Sequence, residues 1–152
     1  LQDFTFEGVN PTSLNACFAV RLTGLAQGQS FIIGETVEQD ITFDGNPKKA
    51  KATVVGWSQE FGVLRYVQGA ENVDTDGVLY PLNGTNNVVG LTSELVGTPF
   101  VFNGELTDMN FVNGYADPDL TKYSGLMTYL SNISPIARDP QQSERVSLVI
   151  AF

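Results

Sequence analysis

The sequence predicts an all-β, antiparallel fold, a β-sandwich or a barrel-like sheet, with at most one or two short helical turns. Three observations lead there. Apolar residues recur with a period of two in short runs, the period of a half-buried strand. Turn-forming residues punctuate those runs, with 15 glycines and 7 prolines in 152 residues. Few stretches carry the 3.6-residue period of an amphipathic helix. The composition, 42% hydrophobic and 16% charged, is that of a folded chain, and the length suffices for a core without metal or disulfide staples.

Taken in order, Phe4 and Phe6 mark a short aromatic strand, Asn10-Pro11 a turn, and residues 16–22 a mostly buried strand ended by Thr23-Gly24. Phe31-Ile32-Ile33 reads as a strand, Gly34 as a kink, and residues 35–39 as an alternating strand. Residues 50–57 and 62–67 follow as strands, separated by turn chemistry at Asp44-Gly45-Asn46-Pro47 and Gln59-Glu60-Phe61-Gly62. Residues 69–90 form a glycine- and asparagine-rich excursion with one short strand at Val78-Leu79-Tyr80. Residues 99–102 are a further strand, with Asn103-Gly104 as its hairpin turn. Asp117-Pro118 reads as a helix start of one turn, ended by Gly125.

Residues 126–130 and 146–152 then form two antiparallel strands that close a sheet, the last with Val146, Leu148, Ile150 and Phe152 on one face. The expected organisation is a main sandwich built from residues 1–30 and 91–152, with a small barrel or meander module at residues 31–90. The chain opens at Leu1, directly in strand-like sequence, and is expected to be a piece, or the ordered part, of a longer protein.

A net charge of −9 repels a phosphate backbone, so nucleic acid is not an expected partner. No apolar run approaches the length of a membrane span. The single cysteine, Cys17, lies in an apolar run and reads as a small buried hydrophobe, and there is no disulfide framework. With no histidine, neither Cys17 nor any serine has the usual base for nucleophilic catalysis. Phosphate-cradling glycine motifs are absent.

Asp74-Thr75-Asp76-Gly77 resembles the opening of a calcium loop but lacks the later ligands and the bidentate glutamate, so a solvated turn is expected. No carboxylate pair sits in a context that predicts the desolvation a glycosidase acid needs. Trp57, Tyr66, Tyr80, Tyr115, Tyr123 and Tyr129 are read as packing residues, with a sugar-stacking platform, and hence a carbohydrate-binding or adhesin-type module, as the alternative. No enzyme activity, cofactor or metal is expected.

In the tail, the order Asp117-Pro118-Asp119-Leu120, Ser124-Gly125, Tyr129, Asn132, Pro135-Ile136 and Gln142-Ser143-Glu144, before a strand ending in Phe152, resembles the C-terminal end of a baseplate wedge protein. That family is the eighth gene product of T-even-like contractile-tailed phages and their cyanophage relatives. The resemblance covers roughly the last quarter of the chain. Leu126 stands where the family pattern has a glutamate, Ser131 and Ile133 flank Asn132 where a Glu-Asn-Arg triplet stands, and Gln141 takes an aspartate's place. Each departure removes charge. The resemblance implies a non-enzymatic structural subunit of the virion's tail baseplate, assembled in the host cytoplasm. It would contact other baseplate and tail proteins, with a homodimer possible, and pass on the contraction-linked rearrangement. The expected contact residues are Tyr129, Asn132, Pro135, Ile136, Arg138, Gln142 and Glu144, with the linker from Ser131 to Glu144, stiffened by Pro135 and Pro140, read as one contact segment and a plain connection between two strands as the alternative.

Overall fold

The computed structural model describes residues 15–120. Nine strands run through them: β1 (Phe18–Thr23), β2 (Thr36–Phe43), β3 (Asn46–Ser58), β4 (Val63–Val67), β5 (Val88–Gly90), β6 (Val96–Pro99), β7 (Gly104–Leu106), β8 (Met109–Phe111) and β9 (Tyr115–Ala116). Among the described residues one 3₁₀ turn lies at Ala70–Asn72. No helix among the described residues is long and apolar enough to cross a membrane.

Six of the strands close into an antiparallel barrel in the order β1-β6-β5-β2-β3-β4, and β4 returns to pair with β1. Closure removes the open edges that a flat sheet of this length would expose to other chains. The barrel takes strands from each of the three expected segments of the chain.

The β2–β3 hairpin is its spine, in register from Thr36 opposite Thr53 to Phe43 opposite Asn46. Alternation decides its faces: Val37, Gln39 and Ile41 point inward with Ala50, Ala52 and Val54, while Glu38 and Asp40 point outward opposite Lys51 and Lys49. Lys49 lies 3.2 Å from Glu38 and 3.3 Å from Asp40, a cross-strand ladder in water. A bulge between Val54 and Gly56 bends β3, so that its first half serves β2 and its second half serves β4.

The turn of this hairpin is Asp44-Gly45, both residues at positive φ (48° and 75°), as a tight two-residue turn requires. Val20, Leu22, Phe31, Leu64, Tyr66, Tyr80, Leu82 and Val88 complete the barrel core. A second, smaller core lies outside the barrel wall: the β7–β8 hairpin lays Met109 and Phe111 over Ala19 of β1 and Val63 of β4, with Ala116 of β9. Arg65 pins this flap by donating to the carbonyl of Thr107 at 3.2 Å.

The structure corrects the sequence reading at several points. Phe31-Ile32-Ile33 is a turn instead of a strand. The N–H of Glu35 donates to the carbonyl of Ile32 at 3.0 Å, Gly34 takes φ +88°, and Phe31 alone turns inward. Val78-Leu79-Tyr80 is not a strand; Tyr80 is held in the core as a plug against Phe43. The strand expected at residues 99–102 lies earlier, at Val96–Pro99.

Asn103-Gly104 leads into β7, and the hairpin tip is Thr107-Asp108, both at positive φ. Asp117 to Leu120 is not helical. The Asp119 carboxylate accepts the Asn15 N–H at 2.8 Å, tying the segment to the entry of β1 instead of capping a helix. The strands expected at residues 4–6, 126–130 and 146–152 lie outside the described residues.

Candidate interaction surface

At one rim of the barrel a buried carboxylate holds two loops together. Glu35, 5% exposed, accepts four hydrogen bonds: from the Ile32 N–H at 2.7 Å, the Thr92 N–H at 3.1 Å, and the Ser93 N–H and hydroxyl, both at 2.8 Å. Burial alone would push this carboxyl up. The donors, led by the Ser93 N–H, outweigh burial and hold it below the usual glutamate value. Gly90 makes room for the pair, since a Cβ there would run into the Ser93 hydroxyl and lie 2.9 Å from the carboxylate.

The two loops so fixed carry apolar side chains outward. Ile32 and Ile33 form the tip of one, with Ile33 73% exposed, and Leu91, 53% exposed, opens the other. Strand pairing brings them together: Gly34 donates to the Val54 carbonyl at 2.8 Å, beside outward-facing Val55, and Leu91 donates to the Thr36 carbonyl at 2.9 Å. The result is a set of exposed aliphatic side chains on two loops that a single buried carboxylate ties together. Leaving several large aliphatic side chains in water is unfavourable, and patches of this kind mark contacts with other proteins.

Across the barrel interior, Gln39 makes the second polar tie. Its amide donates to the carbonyls of Gly84 (3.0 Å) and Asn86 (2.8 Å) and to the Tyr115 hydroxyl (2.9 Å), and its oxygen accepts the Gly84 N–H at 3.1 Å. Tyr115 in turn donates to Gly84 at 2.7 Å. The network fixes the loop before β5.

The acidic loop at Asp74-Thr75-Asp76-Gly77 is a turn built on Asp74, which accepts the N–H groups of Asp76 and Val78, both at 2.9 Å. Lys48 reaches over it, 3.7 Å from Asp74 and 3.3 Å from Asp76, so the protein supplies its own cation there. Among the described residues no three metal-ligating side chains of the His, Cys, Asp or Glu type converge. Tyr66 and Tyr80 are core residues, and Trp57 packs edge-on against Phe31 with ring centres 5.4 Å apart. These three rings are committed to packing.

The expected contact residues of the tail, Tyr129, Asn132, Pro135, Ile136, Arg138, Gln142 and Glu144, lie outside the described residues, as does Tyr123. The residues sequence reasoning missed are Ile32, Ile33 and Leu91. The apolar run that holds Ile32 and Ile33 reads as strand, and the one local signal against it is Gly34-Glu35, a turn glycine followed by a charge at a position that alternation would bury. No family model, curated protein or solved structure matches the chain.

Proposed function

We propose that the chain is a structural module that assembles with other proteins through the apolar rim at Ile32, Ile33 and Leu91, as a wedge subunit of a contractile phage tail baseplate. The observation that carries the docking part is the pairing of exposed aliphatic tips with a buried, fourfold hydrogen-bonded carboxylate beneath them. A surface fixed before it meets its partner loses little conformational entropy on binding. The baseplate part is supported by the tail pattern from Asp117 to Phe152. The subunit performs no chemistry; it buries complementary surface and passes on displacement as a rigid barrel. A cryo-electron reconstruction of the intact tail tests both parts. The expected result is Ile33 and Leu91 covered by a neighbouring baseplate chain; a particle in which both face solvent would overturn the docking role.

A further inference from the structure

A second surface lies on the outer wall of β1, apart from the rim. Arg21 is held between two aromatic rings, its guanidinium carbon 4.8 Å from the centre of Phe100 and 4.6 Å from that of Phe102. The backbone fixes this arrangement from both sides. Phe100 donates to the Arg21 carbonyl at 2.9 Å, Arg21 donates to Gly114 at 2.8 Å, and Gly114 donates to Phe102 at 2.9 Å. Asn113-Gly114 forms the tight turn that permits the approach, and a Cβ at position 114 would collide with the Phe100 carbonyl.

Contact with aromatic rings does not use up the N–H donors of a guanidinium, which stay available to a polar partner. Among the described residues Arg21 is the one cation whose side chain has no polar partner. Lys48, Lys49 and Lys51 pair with carboxylates and Arg65 with a carbonyl. Around Arg21 the surface is apolar and open: Phe100 is 43% exposed, Val101 67% and Val112 62%. An oriented arginine framed by aromatic and aliphatic side chains is the composition of an interface hot spot.

We propose that Arg21 receives a carboxylate of a partner protein, an aspartate or glutamate side chain flanked by apolar residues that pack on Phe100, Val101 and Val112. Charge complementarity selects this occupant. Against the overall net charge of −9, the local cation at Arg21 is what favours an anionic group, and the planar fork matches a carboxylate in bidentate fashion. Apolar flanks suit the exposed Phe100, Val101 and Val112 side chains.

The test is a titration of the isotope-labelled full chain, followed by the Arg21 Nε–Hε signal and the amides of Val101 and Val112. The probes are acetyl-Leu-Glu-Leu-amide and its neutral counterpart acetyl-Leu-Gln-Leu-amide. Expected are saturable shifts at all three positions with the glutamate peptide, and binding about tenfold weaker with the glutamine peptide, the effect of one charge-assisted pair. Arg21→Gln should abolish the preference, whereas Arg21→Lys, which keeps the charge but loses the fork, should keep part of it. Val101→Asp, which leaves Arg21 and its rings intact, should weaken the glutamate peptide by repulsion. Equal response to the two peptides, shifts elsewhere only, or no response to millimolar glutamate peptide would overturn the proposal.

Discussion

At Glu35 two opposing effects meet, and the balance sets how the rim behaves. Desolvation disfavours the charged carboxylate, and four donors favour it more. Its folded-state pKa therefore lies below the unfolded-chain value of about 4.3. A depressed carboxyl contributes stability that is fully present above that value and is lost as pH falls through the folded-state one. Glu35→Gln keeps the shape but replaces a charged acceptor with a neutral amide whose NH₂ meets other donors. It should cost about 2–3 kcal/mol in urea unfolding at neutral pH, and the gap to wild type should narrow below about pH 4. A gap that stays constant with pH would mean the charge is not what joins the loops. Gln39→Leu takes away the partners of the Gly84 N–H and the Asn86 carbonyl and leaves the Gly84 carbonyl to the Tyr115 hydroxyl alone, and should cost on the order of 2 kcal/mol by the same measurement.

Among the elements, the β2–β3 hairpin depends on its turn, because register over eight residue pairs is set where Asp44 and Gly45 take positive φ. Gly45→Val should therefore destabilise the barrel by more than about 1 kcal/mol, read as a lowered urea midpoint. Lys48→Met removes the cation over the acidic loop, so the amides of Asp76 and Val78 should exchange faster with solvent while those of β2 stay protected.

This hairpin was legible in the sequence, since an Asp-Gly pair between alternating runs is a local signal. So were β1 and β4, whose apolar positions recur at the strand period. The short strands β5 and β6 were not. With three and four residues they carry too little pattern of their own and exist because barrel closure gives them partners. Phe31-Ile32-Ile33 misled for the opposite reason: its apolar run fits a strand, but Gly34 at positive φ and the two bonds between Ile32 and Glu35 make it a turn, which the contacts of Glu35 with Thr92 and Ser93 then hold in place. Asn103-Gly104 and Asn113-Gly114 are the same dipeptide in different roles, the first leading into a strand and the second forming a tight turn between Val112 and Tyr115.

At the scale of the described molecule, closure of β4 onto β1 removes the open edges of the barrel itself, so what its wall and rims offer a partner is the side chains on loops and on the outer face. The sequence carried the all-β class and the acidic charge. It did not carry the rim, because exposure of Ile32, Ile33 and Leu91 is a property of how loops from distant parts of the chain are set beside each other. The Arg21 clamp was equally hidden, since Arg21, Phe100 and Phe102 are brought together only by the pairing of β1 with β6 and the turn at Gly114.

The proposed docking role rests on exposed apolar tips above loops tied by Glu35, and that claim separates cleanly from stability. Ile33 and Leu91 touch water, so Ile33→Asp and Leu91→Asp should each shift unfolding by less than about 0.5 kcal/mol. The most direct measurement is sedimentation velocity of the chain co-expressed with the proteins encoded beside its gene, for wild type and for the double variant Ile33→Asp/Leu91→Asp. The account predicts a stoichiometric complex for wild type and a free, fully folded chain for the variant. Assembly of the variant to the same extent as wild type, or failure of wild type to join any of those proteins, would contradict it.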